Sequence, residues 1–368
     1  MLDQQALMTT AIMASMSVLL GALFLLMPHL TRQDLFFGVT VAGTFRSTPD
    51  ARSILLRYRT WILVATIVSL AFLAWERFHP TLWVLEITPV VLLFGAVLAY
   101  FLAHARTRVF RAAPSGLREA SLAPRRDSLP GGLLLPALPI LGLLLSTGWV
   151  ILRWDQLPSR LPVRYDWHGT PTEWTTLSRL HVFGPSAFLI LLCLVLAVAA
   201  YGIVRSPRRI PASVPEGARE SKYGRGMAEI LLACEYLVCL IGSAVLLFPL
   251  LTPAQISWFT PIVMIISIVS APMVIIFLFV MARKRLGTKT ETDTASQTLP
   301  DVPKGDRMPD ERWLWGVVYV NREDAALFIP KRFGIGYTLN FGNRWSWVIL
   351  ALIAALVGGG VLMPLLMK

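Results

Sequence analysis

Phe183–Val204 reads FGPSAFLILLCLVLAVAAYGIV, without a charged residue, and the chain then meets Arg205, Arg208 and Arg209. A run of that length and polarity crosses the ~30 Å hydrocarbon core of a bilayer as a helix. Only a helix satisfies every backbone N–H and C=O within its own segment there. Seven more runs read the same way: about Ala6–Met27, Thr60–Trp75, Ile87–Ala103, Leu133–Leu152, Ile230–Leu250, Ile256–Met281 and Ser346–Met367. The gaps between them alternate in charge. Lys and Arg number five in 28–59, six in 104–132, six in 205–228 and eleven in 282–345, against one, four and none in the intervening gaps. Basic residues in short loops resist translocation. The rich gaps are therefore expected on the cytoplasmic side and both termini outside.

Composition agrees. Of the 368 residues 55% are hydrophobic, and mean hydropathy is +0.62, so apolar surface is buried in lipid and between helices. In a soluble protein the net charge of +12 would suggest nucleic acid. Here the positive-inside bias accounts for it and suits anionic lipid, so no nucleic acid is implied. Met1-Leu2-Asp3-Gln4-Gln5 has no basic region before the first run, which reads as a retained anchor. Cys193, Cys234 and Cys239 fall inside predicted helices and make no disulfide framework.

The organisation that follows is an N-terminal three-helix region (1–103), a basic linker (104–132), a helix–loop–helix unit (133–204), a second linker (205–228) and a helical hairpin (229–281). A linker over 282–309, expected to be disordered from Gly287 on, leads to a module at 310–345 and the last helix at 346–368. Thr60–Trp75 is the shortest run. About sixteen residues separate Arg59 from Glu76, only ~24 Å of helix at 1.5 Å per residue. The preceding Asp50–Arg59 reads as a basic amphipathic helix at the interface, with a partner-docking surface as the alternative. Asp310–Trp345 alternates aromatic and β-branched residues with polar ones and is broken by Asn321, Pro330, Gly334, Gly336 and Gly342. That is strand and turn chemistry.

The expected outward loop between the fourth and fifth runs, RWDQLPSRLPVRYDWHGTPTEWTTLSRL (Arg153–Leu180), alternates Leu161, Val163, Tyr165 and Trp167 against polar partners before a turn at Gly169-Thr170-Pro171. Leu157-Pro158, Pro162, Gly169 and Trp174, set between two membrane helices, resemble the bacterial domain-of-unknown-function 1648 family, whose members are SdpI-like immunity proteins. The resemblance covers residues 133–204. It implies protection from a membrane-acting toxin and the holding of a transcriptional repressor at the membrane. ALFIPKRFGIGYTLNFG (Ala326–Gly342) resembles a second family, domain of unknown function 5808, over 310–342. That resemblance implies no assigned chemistry.

Candidate residues follow from placement. Glu235 is the one carboxylate well inside a predicted span. A charge there is costly and marks a functional site by default, either a proton or cation site or a packing contact. Glu86 and Glu229 are expected to cap helix N-termini. In the loop, Trp154, Asp166, Trp167, His168 and Trp174 are candidates for a peptide or lipid surface. Asp155, Asp166, His168, Glu173 and His181 match no metal-ligand spacing. Gly334-Ile335-Gly336 lacks the Gly-Lys-Ser/Thr end of a phosphate loop and reads as turn glycines. Lys331, Arg332 and Arg344 are candidates for docking lipid headgroups or a partner.

These readings converge on an all-α polytopic protein of the bacterial cytoplasmic membrane. About eight transmembrane helices carry a small β-rich cytoplasmic module before the last helix. The expected function is non-enzymatic sensing, immunity or envelope protection, with an extracellular peptide or envelope ligand, membrane lipids and a cytoplasmic regulator as partners, and with no cofactor or metal. The alternative is an ion- or proton-coupled transporter that uses Glu235 and a helix broken at Pro261 and Pro272.

Overall fold

In a computed structural model the structure describes residues 2–32, 34–76, 82–113, 129, 131–165, 171–205, 214–286, 306 and 308–366. The elements run α1 (Leu2–Leu26), β1 (Leu35–Phe36), β2 (Val39–Thr40), α2 (Pro49–Glu76), α3 (Leu82–Thr107), α4 (Leu134–Leu152), β3 (Arg160–Tyr165) and β4 (Pro171–Thr176). They continue with α5 (Arg179–Arg205), α6 (Val214–Leu247), α7 (Pro253–Leu286), β5 (Trp313–Leu314), β6 (Val318–Tyr319), β7 (Phe328–Pro330), β8 (Tyr337–Leu339) and α8 (Arg344–Leu366). Among the described residues seven helices are long and apolar enough to cross a membrane. Those are α1 to α7; in α8 the apolar stretch so described covers Arg344–Gly360.

Several expected boundaries move. The amphipathic segment at Asp50–Arg59 and the short run after it are one helix, α2, of 28 residues, about 42 Å at 1.5 Å per residue. Thr48 starts it, its Oγ1 accepting the Ala51 N–H at 3.3 Å, with Pro49 and Asp50 in the first turn, where a missing N–H and a negative charge are both tolerated. Its buried residues Ala51, Ile54, Tyr58, Ile62, Ala65, Ser69 and Leu73 recur every three or four positions, a single stripe. The linker expected at 205–228 is helical from Val214, the start of α6. Glu229 is therefore exposed well inside that helix and caps nothing. Pro261 and Pro272 lie within α7, which continues through both, so the expected broken helix is absent.

The chain divides into two compact units. The first comprises Met1–Ala120, Ala282–Asp324 and Ile329–Gly342. Most of the C-terminal module, residues 310–324 and 329–342, thus belongs with the N-terminal helices. Its core gathers Phe36, Phe37, Val39 and Phe45, then Ile54, Tyr58 and Ile62 of α2 and Ala96, Ala99, Tyr100 and Ala103 of α3. The alanines let α3 approach α2 closely. A Cβ on Gly95 would lie 2.5 Å from the Ala65 Cβ. Tyr58 donates its hydroxyl to the Phe24 carbonyl at the end of α1, 2.9 Å.

The second unit comprises Ser121–Met281, Ala325–Phe328 and Asn343–Lys368. Within it α6 packs on α4 and α5, and α5 also packs on α8. Strands β3 and β4 pair antiparallel, with Arg160 opposite Thr176 and Pro162 opposite Trp174, and the register slips between Pro162 and Arg164. The bulge at Val163 bends the hairpin.

Candidate functional site

The expected ligand loop is this hairpin, and its described candidates divide by burial. Trp154 stacks on Phe183 of α5, centroids 5.6 Å apart, beside a cluster of Val150, Leu157, Leu161 and Val182. Half-buried, it joins the loop to the helices. Trp174 on β4 is 53% exposed. Asp166, Trp167 and His168 lie outside the described residues. His181 explains how the hairpin is held. Ser178 Oγ is 2.6 Å from its Nδ1 and Thr175 Oγ1 is 3.2 Å from its Nε2, while Ser178 also accepts the His181 backbone N–H at 3.2 Å. One imidazole therefore ties β4 to the first turn of α5.

In the first unit the basic candidates separate. Lys331 is exposed and Arg332 is buried, 1% exposed. The two side chains therefore differ in access to solvent, and only that of Lys331 is at the surface. For Arg332 the docking expectation is corrected. All five of its donors are used. Nε and Nη2 bind Asp306 Oδ2 and Oδ1, each at 2.7 Å, and Nη2 also reaches the Met308 carbonyl at 2.6 Å. Nη1 donates to Asp310 Oδ1 at 2.6 Å and to the Gly38 carbonyl at 3.2 Å. The guanidinium lies over Trp313, 4.9 Å from its centroid. Burial lowers its pKa, but Asp306 and then Asp310 outweigh that and raise it above the ordinary arginine value. Asp310 in turn accepts Thr40 Oγ1 at 2.8 Å and lies 3.6 Å from Arg111 Nε. Asp306 and Met308 are both buried, so packing reaches four residues into the segment expected as linker.

Three aromatic–glycine turns meet beside this arginine. Phe37-Gly38 links β1 to β2 and Trp315-Gly316 follows β5. Phe37 (φ +43°), Gly38 (φ +79°), Trp315 (φ +51°) and Gly316 (φ +71°) are all left-handed, the geometry of a tight hairpin turn. The two turns touch glycine to glycine. A Cβ on Gly38 would lie 2.7 Å from the Gly316 carbonyl oxygen and 2.6 Å from the Tyr100 hydroxyl. Tyr100 donates to the Trp315 carbonyl at 3.0 Å, and His104 Nδ1 lies 2.8 Å from the Phe37 carbonyl oxygen. Phe333, at the third turn, stacks on Phe37 at 5.4 Å and leans on Tyr100 at 4.7 Å. Asn340, fully buried, closes the segment. Its Oδ1 accepts the Asn321 and Gly342 N–H groups and its Nδ2 donates to the Asn321 and Asp324 carbonyls, all between 2.8 and 3.0 Å. A cleft of about 310 Å³ opens next to the turns, lined by His104, Arg108, Arg111, Asp310, Glu311 and Trp315 among others. Arg111 is ion-paired to Glu311 across it. Mixed charge makes the cleft a poor anion site.

Residues 322–347 match the Family of unknown function (DUF5808). That bears out the C-terminal resemblance. No match accompanies it for the family that residues 133–204 resemble. No curated protein matches the chain, and no solved structure does.

Glu235 and Arg344 remain. Arg344, the first residue of α8, is exposed and sits over the exposed Trp345 ring at 5.8 Å. Glu235 lies on α6 and is 0% exposed. Neither of its carboxyl oxygens has a hydrogen-bond partner among the described residues.

Proposed function

We propose a non-enzymatic protein of the bacterial cytoplasmic membrane with a sensing, immunity or envelope-protection role. In this reading the β3–β4 hairpin meets an extracellular peptide or envelope ligand, and the C-terminal segment, folded with the N-terminal helices, serves a cytoplasmic regulator. The observation that carries it is Trp174. This large aromatic stays 53% exposed on a strand whose neighbours are pinned by the Trp154–Phe183 stack and the His181 hydrogen bonds. A rigid amphipathic ring held out of a braced hairpin is what a binding surface uses as an anchor. The test is survival of a sensitive bacterial strain challenged with a membrane-permeabilising peptide. The chain should protect, Trp174→Ala should lose protection at equal protein level, and Trp174→Phe should keep most of it. Equal survival with and without the chain, across a panel of such peptides, would count against the reading.

A proton-coupled transporter is the second reading, favoured by Glu235. It has lost its other support, since α7 runs unbroken through Pro261 and Pro272. Proton or solute flux in proteoliposomes separates the two.

A further inference from the structure

We propose that Glu235 is a proton-binding site inside the second unit, a carboxyl kept as –COOH while α4, α5 and α6 are packed as seen. The site does not depend on the sensing reading. It rests on what surrounds the side chain. Among the described residues the main helix packing of α6 is on α4 and α5. Leu134–Leu152 contains no titratable residue, and between Val182 and Ala200 the sole titratable group is Cys193. Cys193 is fully buried and its thiol donates to the Glu235 backbone carbonyl at 3.8 Å, leaving the carboxyl untouched. On α6 itself the nearby groups are Cys234, Tyr236 and Cys239. Tyr236 gives its hydroxyl to the Leu135 carbonyl at 2.9 Å, and Cys239 Sγ lies 4.0 Å from Ser243 Oγ. No Lys, Arg or His stands on α4, or on α5 between Val182 and Ala200.

The hydroxyls on the packed helices are committed elsewhere too. Ser146, Thr147 and Ser186 each donate to a carbonyl four residues back on their own helix, at 2.9, 2.7 and 3.2 Å. An ionised carboxylate with neither cation nor donor among the described residues, and wholly out of contact with solvent, carries a heavy desolvation penalty. Taking up one proton removes the charge and most of that penalty. A metal ion fits less well. Hard cations need about six or more oxygen ligands, whereas the neighbours offer thiols and carbonyls already bonded within helices. A packing role fits less well again, since an apolar residue of the same volume would stabilise such a core. The proton can leave only when the helices part enough to admit water or a partner. Glu235 is thus a titratable switch on the packing of α4, α5 and α6.

Full-length protein in native membranes can be treated with a hydrophobic carbodiimide, which adds to protonated carboxyls, or with a water-soluble one. The hydrophobic reagent should modify Glu235, progressively less as pH rises, and the water-soluble reagent should leave it unmodified. Pure thermal stability supplies an independent reading for the case of a reagent that fails to enter. A carboxyl that is neutral when packed and ionised when released binds more protons in the packed state, so stability falls as pH rises. Wild type should lose stability toward alkaline pH, and Glu235→Gln should lack that component. Modification by the water-soluble reagent independent of pH, or parallel stability curves for wild type and Glu235→Gln, would overturn the proposal.

Discussion

Replacing Arg332 by Met tests the most consequential arrangement in the first unit. The substitution keeps a long apolar stem but removes five hydrogen bonds, two of them the bidentate pair to Asp306 and one to Asp310. The carboxylates left behind are 11% exposed as side chains, so solvent cannot replace the guanidinium. Breaking a buried ion pair from one side costs about 3–5 kcal/mol. At about 1.4 kcal/mol per decade that is roughly two to three and a half decades in the equilibrium for releasing the segment. Hydrogen–deuterium exchange of the full-length protein in nanodiscs reads that equilibrium directly. Amides of β5, β6 and β8 should exchange faster by about that factor in Arg332→Met, while Lys331→Met, at an exposed neighbour, should exchange as wild type. Combining Arg332→Met with Asp306→Leu should recover part of the loss, because the orphaned carboxylate goes with its partner. Unchanged protection in Arg332→Met would refute the claim that this arginine holds the segment down.

Gly38→Ala should destabilise the same unit, since its Cβ would meet the Gly316 backbone and the Tyr100 hydroxyl, whereas Gly148→Ala, with nothing within 4 Å, should be tolerated; thermal aggregation in detergent compares them. Trp154→Ala should destabilise the second unit by about 1–3 kcal/mol as the stack on Phe183 is lost, while Trp174→Ala should leave its melting temperature unchanged. For topology, single cysteines at Ser159 and Thr176 should react with a membrane-impermeant thiol reagent on intact spheroplasts, and one at Ser47 only after lysis; labelling of Ser47 in sealed cells would reverse the orientation.

What the sequence revealed and what it hid follow from the range of the forces involved. The spans were legible because uncharged apolar runs are a local property, and α4 matches its expected start to one residue. Of the helix extensions beyond the apolar runs, Asp50–Arg59 was legible from its amphipathic pattern, but Val214–Glu229 was not. Its charges end a hydropathy run but do not end a helix. The turns were hidden because Phe37 and Trp315 adopt a positive φ that aromatic residues rarely take, so neither resembles an Asn-Gly or Asp-Gly turn. Trp154 and Trp174 look alike in sequence, and only the presence of Phe183 separates a packing residue from an exposed one. Glu235 was legible because a carboxylate in an apolar run is conspicuous; that its oxygens have no hydrogen-bond partner among the described residues was not.

The Arg332 cluster also changes what a match over residues 322–347 means physically. The matched residues contain the arginine and Asn340, but the acceptors Asp306, Met308, Asp310 and Gly38 all lie outside them. Gly38 is 294 positions away in the chain. Phe333, likewise within the match, finds its aromatic partners on the turn at Phe37 and on α2 and α3, at Tyr58 and Tyr100. Two-residue and three-residue strands cannot bury enough surface to be stable alone. The segment thus borrows its core from helices at the other end of the chain. Closing so long a loop carries an entropic cost that grows only slowly with length, and one fully satisfied guanidinium together with three interlocked aromatic–glycine turns offsets it. Residues 322–324 and 329–342 of the matched stretch are accordingly one edge of a discontinuous unit.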